Sequence, residues 1–152
     1  MTDQASCAFC KIVAGEESVE VVCQTEEWLA FFPDSPATAG HTLVIPKMHL
    51  PDFLALGPKI GANIMEGIVR VANAIREALR PDGMNLISSS GEAADQSVYH
   101  LHFHVVPRTL GDRIGHIWPP GEAMDEEVKE GLADLIRAKC LERASEWAAR
   151  PD

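Results

Sequence analysis

The sequence is short of positive charge: 13 Lys and Arg stand against 23 Asp and Glu, a formal net charge of −10. Binding a nucleic acid polymer needs a basic stripe that displaces phosphate counterions, so that class of partner is set aside. A small phosphorylated ligand is not, because exposed charges are screened over roughly 8 Å and a local pocket of His, Arg and backbone N–H groups can oppose the global sign. Long apolar runs are missing too. The first twenty residues carry no basic segment followed by an apolar stretch, and nothing later approaches membrane-spanning length, so the expected address is cytoplasmic, without a membrane partner. There is no P-loop, no internal repeat, and no Gly/Ser- or Pro-rich stretch to divide the chain. At 152 residues, 46% hydrophobic and 24% charged, residues 1–152 are expected to form a single domain with a core of its own.

Cysteine is sparse: Cys7, Cys10, Cys23 and Cys140. In a reducing compartment these are not a disulfide framework, so the close pair Cys7 and Cys10 reads as metal-binding, as redox-active, or as two buried thiols. The redox reading lacks the preceding βα pattern of thioredoxin-type sites. Cys23 and Cys140 read as small packing residues.

What is present suggests an α+β fold with five mainly antiparallel strands and two main helices. "VEVVC" (19–23) and "WLAFF" (28–32) flank the polar "QTEE" as two strands and a turn, and "HTLVIP" (41–46) is a third. From Ile60, apolar residues recur at Ile64, Ile68, Val71, Ile75 and Leu79, the spacing of a helix laid on a sheet and stopped by Arg80-Pro81-Asp82-Gly83. "MNLIS" (84–88) is a fourth strand and "VYHLHFHVVPR" (98–108) a fifth. A C-terminal helix is expected over 125–149, acidic in its first turn, with Val128, Leu132, Leu135, Ile136 and Cys140 on one side.

The fifth strand holds the chemistry. Side chains alternate in a strand, so His100, His102 and His104 are expected to project together, about 6.6 Å apart, with Leu101, Phe103 and Val105 on the apolar side. The three rings could be catalytic metal ligands, although no carboxylate accompanies them in the strand. They could instead act at phosphorus: a ring mostly neutral at pH 7 attacks while a neighbour donates hydrogen bonds to phosphate oxygens. The preceding loop, with Ser88, Ser89, Ser90, Gly91, Gln96 and Ser97, offers small side chains and backbone donors for developing charge.

"DQSVYHLHFHVVPR" resembles the signature of the histidine triad family, His-φ-His-φ-His-φ-φ with φ apolar, preceded by Gln-Ser/Thr-Val. "FCKI" near the N-terminus and "GHTLVIPKMH" (40–49) extend the resemblance over nearly the whole chain. It implies an α+β nucleotide-binding unit, commonly a homodimer with a sheet continued across its interface. It implies His102 as a nucleophile forming a nucleotidyl-histidine intermediate, His104 on the α-phosphate, Gln96 and Ser97 beside the scissile bond, and Phe9, Ile12 and Phe31 around the base. The sequence departs from the pattern at the sugar, where Pro33-Asp34-Ser35-Pro36 shifts the carboxylate, leaving Asp34 as the ribose candidate. Ser89 stands where Asn is frequent, and Asp95 where Gly usually precedes Gln. Cys7, Cys10, His49 and His100 are a candidate Cys₂His₂ set for structural zinc, as in several relatives, which leaves His102 free to attack.

A nucleotide hydrolase or nucleotidyl transferase is therefore expected, of the nucleotide phosphoramidase or dinucleoside polyphosphate hydrolase type. A non-catalytic nucleotide-binding module and a metal-dependent hydrolase using the triad as ligands are the alternatives. Arg108 reads as a strand-end or interface residue, Trp118 as core packing, and His41 and His116 receive no role.

Overall fold

A computed structural model describes residues 6–148. Five antiparallel strands form one sheet in the order β1-β2-β3-β5-β4: β1 (Val21–Gln24), β2 (Trp28–Phe31), β3 (Thr42–Pro46), β4 (Gly83–Ile87) and β5 (Phe103–Arg108). Helix α1 (Ala8–Val13) precedes the sheet, α2 (Pro58–Leu79) joins β3 to β4, and α3 (Glu126–Ala148) follows β5.

Strands β2 and β3 are buried at every position, and all but Thr42 are apolar, because both faces of the sheet are covered there. Trp28, Ala30, Val44 and Val105 meet the stripe Ile64, Ile68, Val71 and Ile75 of α2. Pro58 starts that helix, where its missing N–H costs no bond, and Arg80 ends it in a left-handed conformation at φ 49°. Gly67 lets the helix approach closely: a Cβ there would lie 2.7 Å from the Trp28 ring. On the other face, Leu29, Phe31, Leu43 and Ile45 pack with Cys7 and Phe9, so α1 and the functional residues share the side opposite α2.

Three expectations need correction. The triad does not lie wholly in a strand: β5 begins at Phe103, and His100 and His102 precede it in irregular backbone. The Leu101 N–H is drawn to the Leu50 carbonyl at 2.6 Å, outside the sheet ladder. Trp118 is 82% exposed rather than part of the core. Cys140 is exposed, as are Val128, Leu132, Leu135 and Ile136, so this side of α3 is not packed into the core. Cys23 is partly buried against the α2 side of the core, as a packing residue would be.

Candidate active site and metal cluster

Cys7 caps α1, its Sγ accepting the Cys10 N–H at 3.4 Å, and one turn of helix sets the two thiols side by side. His49 arrives just beyond β3 and His100 just ahead of β5. Cys10 Sγ lies 3.2 Å from His49 Nδ1 and 3.5 Å from His100 Nδ1, and Cys7 Sγ lies 3.5 Å from the same His100 nitrogen. All four ligand atoms fall within 4.8 Å of one another. A tetrahedral ion with sulfur at about 2.3 Å and nitrogen at about 2.05 Å separates unlike ligands by about 3.6 Å, so the donor set fits a metal of zinc's size and preference. Burial, then the neighbouring Cys7, pushes the Cys10 thiol up to about 11, so a cation entering at neutral pH displaces a proton there.

Backbone carbonyls fix two of the triad rings. A carbonyl only accepts, so the His100 ring nitrogen 2.8 Å from the Pro46 oxygen carries the proton; that nitrogen is Nε2, and Nδ1 turns an unprotonated edge toward the thiols. His102 has the opposite tautomer. Its Nδ1–H donates to the His100 carbonyl at 2.7 Å, leaving Nε2 with the free lone pair. Phe9 wedges edge-on against both rings, with centroids 5.8 Å from His100 and 5.3 Å from His102. Among the described residues, the cluster with metal-ligand spacing takes His100 alone from the triad.

His102 and His104, ring centroids 5.0 Å apart, line a cavity of about 370 Å³. Phe9, Ile12 and Phe31 supply its apolar wall, and Asp34 and Ser97 stand at its polar side. A hollow of about 310 Å³ beside Trp28, Lys47 and Lys59 has no histidine in its lining. Burial lowers the basicity of His102, offset in part by the His100 carbonyl. Burial, then His102 and His41, takes His104 down to about 4. Both rings are therefore neutral at pH 7, one able to attack and one able to donate.

Two expected site residues lie elsewhere. The Gln96 side chain is buried away from the cavity, accepting the Gly91 N–H at 2.8 Å and donating to the carbonyls of Pro51 at 2.7 Å and Val98 at 3.2 Å. Every polar atom of its amide is thus spent on bracing the loop. Ser89 is half-buried outside the cavity lining, in a loop anchored by Ser88 Oγ on the His102 carbonyl (2.8 Å) and Ser90 Oγ on Asp52 (2.7 Å). Arg108 is a strand-end residue engaged by Asp112, Asn85 and the Gly115 carbonyl.

His41, which had no role on sequence, belongs to the site. It is buried beside the triad, with Nε2 2.9 Å from His104 Nδ1. Only the Gly-His pair opening a strand distinguishes it locally; the ring it meets is 63 positions away.

The HIT domain family model matches residues 14–110. The chain is 35% identical to the adenosine 5'-monophosphoramidase hnt1 of Schizosaccharomyces pombe, over 88% of this chain and 98% of that protein. It superposes with a TM-score of 0.81 on a HIT family protein of Bacillus anthracis, 38% identical, covering 88% of this chain and 96% of that one. A zinc-bound histidine triad family protein of Mycobacterium smegmatis, 38% identical, matches with a TM-score of 0.69 over 90% of this chain and 99% of its own. Sequence, sheet and neighbours agree: the chain belongs to the histidine triad family.

Proposed function

We propose that this protein is a nucleotide hydrolase or nucleotidyl transferase that attacks an α-phosphate with His102 Nε2. One observation carries the reading. The bond from His102 Nδ1–H to the His100 carbonyl holds the ring with the other nitrogen unprotonated, and that ring lines a cavity with a second neutral histidine. As Nε2 bonds to phosphorus, the bond from phosphorus to the leaving group breaks. The ring takes on positive charge, which the carbonyl at Nδ1–H stabilises. Water then cleaves the phosphorus–nitrogen bond, releasing a nucleoside monophosphate and the neutral ring.

His104 is assigned to the phosphate oxygens and Ser97 to the leaving group. Phe9, Ile12 and Phe31 are assigned to the base and Asp34 to the sugar hydroxyls; all of these line the same cavity. Gln96 shapes the loop rather than touching substrate. The phosphoramidase named among the relatives supports phosphoramidates as a substrate class. Rapid quenching with an adenylylated substrate, followed by peptide mass measurement, is expected to show adenylylated His102. No adduct, together with full activity of His102→Ala, overturns the mechanism.

The cluster of Cys7, Cys10, His49 and His100 is assigned to zinc, supported by its donor separations and by the zinc-bound neighbour. When bound, the ion supplies a structural cross-link between α1, the end of β3 and the triad segment. We also propose that residues 1–152 act as one unit in the cytoplasm and pair as a homodimer. Pairing is supported by the outer edge of β4, which among the described residues has only β5 beside it and exposes Leu86 and Ile87.

A further inference from the structure

We propose that Glu17 selects the nucleobase: its carboxylate, beside the apolar wall of the cavity that His102 and His104 line, accepts the two adjacent N–H donors of guanine, so that guanosine nucleotides are the preferred substrates. Base selection rests on the reading above that a nucleotide occupies this cavity; the attack by His102 enters only the kinetic arm of the test.

Among the described residues, one charged side chain lines the cavity beyond those already assigned, Glu17, with Ser18 next to it in the chain. Both fall in sequence between Ile12 and Val19, two apolar members of the same lining, which puts them with the base rather than with the phosphate. The chain is turned back there by the way α1 ends. The Gly15 N–H donates to the Ile12 carbonyl at 3.0 Å and the Glu16 N–H to the Lys11 carbonyl at 2.9 Å, a Schellman closure with Gly15 left-handed at φ +75°. Glu17 is the next residue. Its Oε1 stands 3.8 Å from Lys11 Nζ, with the two side chains 48% and 40% exposed. That separation is longer than a hydrogen bond, and a surface ion pair of this kind holds its members weakly, so both carboxylate oxygens keep their acceptor capacity.

An ionised carboxylate accepts and never donates. Of the common bases, only guanine sets two donors side by side, N1–H and the N2 amino group, spaced to meet both oxygens. Adenine places its N6 amino group next to N1, a lone pair, and cytosine places its N4 amino group next to N3, another lone pair. A carboxylate that binds either amino group faces the neighbouring lone pair. Uracil has a single N3–H between two carbonyls. Guanine O6, on the other side of N1, takes a donor, and the Ser18 hydroxyl is one. Phe9, Ile12 and Phe31 grip any flat base by its faces, so discrimination falls to the polar groups that meet its edge.

The test is titration calorimetry of the full-length protein with GMP, IMP and AMP, beside kcat/KM for guanosine and adenosine 5'-phosphoramidates. The wild-type protein is expected to bind GMP at least about fivefold tighter than AMP, with kcat/KM in the same order; IMP, which keeps N1–H and lacks the amino group, should fall between. Glu17→Gln carries one acceptor and one donor, the match for the adenine edge, so it should weaken GMP and strengthen AMP. Glu17→Ala should weaken GMP alone. Glu17 is exposed, so neither substitution removes a core contact. A wild-type preference for GMP below about fivefold overturns base selection by this carboxylate, as does a preference that survives Glu17→Ala. Failure of all three nucleotides to bind overturns the nucleotide reading of the cavity and base selection with it. A GMP preference lost in Glu17→Ala, without turnover of either phosphoramidate, upholds base selection and overturns the hydrolysis.

Discussion

At the scale of single residues, the site depends on imidazoles kept neutral by burial. His41 and His104 both lose basicity in the fold, His104 to about 4, whereas an unfolded chain protonates them near 6.5. The unfolded state thus binds more protons between those values. The stability these residues contribute is fully present above about 6.5 and is lost as pH falls toward 4. Thermal unfolding followed from pH 7 to 4.5 is expected to show a falling Tm, with a shallower slope in His104→Asn. The same rings mark the limit of legibility in the sequence. His102, His100 and the two thiols announce themselves through short spacings, HxHxH and CxxC. His41 does not, because its meaning depends on a ring that only β3–β5 pairing brings near, Leu43 opposite His104. Gln96 misled in the other direction: its place beside Ser97 suggested chemistry, while its buried amide satisfies three backbone groups.

At the scale of elements, β2, β3 and α2 were readable because their burial is written in continuous apolar runs or a three-to-four repeat. The start of β5 was not. Alternation of His with Leu and Phe runs on unbroken through residues 100–104, while the bond from Leu101 to Leu50 takes the backbone out of the ladder before Phe103. Helix α1 escaped notice because six residues hold too little periodicity to register. Contact between α2 and the sheet sets a sharp prediction. Gly67→Ala places a Cβ within 2.7 Å of the Trp28 ring, so the helix must shift outward; about 1–3 kcal/mol of stability should be lost, measurable by urea unfolding. The candidate metal cluster joins α1 to the triad segment through side chains. Treatment with a chelator is expected to lower Tm while a protein that stays folded keeps turning over. Immediate loss of hydrolysis without unfolding would assign the ion to the chemistry instead.

At the scale of the whole molecule, apolar surface is left over. Leu86 and Ile87 on the β4 edge, Met65 and Val69 on the outer side of α2, and Val128, Leu132, Leu135, Ile136 and Leu141 of α3 are exposed in the single chain. A second copy that continued the sheet at β4 would cover Leu86 and Ile87. Sedimentation of the wild-type protein is expected to give a dimer, and Leu86→Lys with Ile87→Lys a monomer; a wild-type monomer at micromolar concentration would reject the pairing. None of the helices is long and apolar enough to cross a membrane, among the described residues.

Strand β3 has His41 at its near end, meeting His104, and Pro46 at its far end, whose carbonyl holds His100. A fully extended backbone is nearly inextensible, so five residues act as a ruler of about 17 Å between these two fixtures. Substitution along β3 changes packing, but deleting one residue changes length and parity together: one anchor would lose its ring, and alternate side chains would swap faces. The spacing between the His104 contact and the His100 contact is thus stored as a count of peptide units.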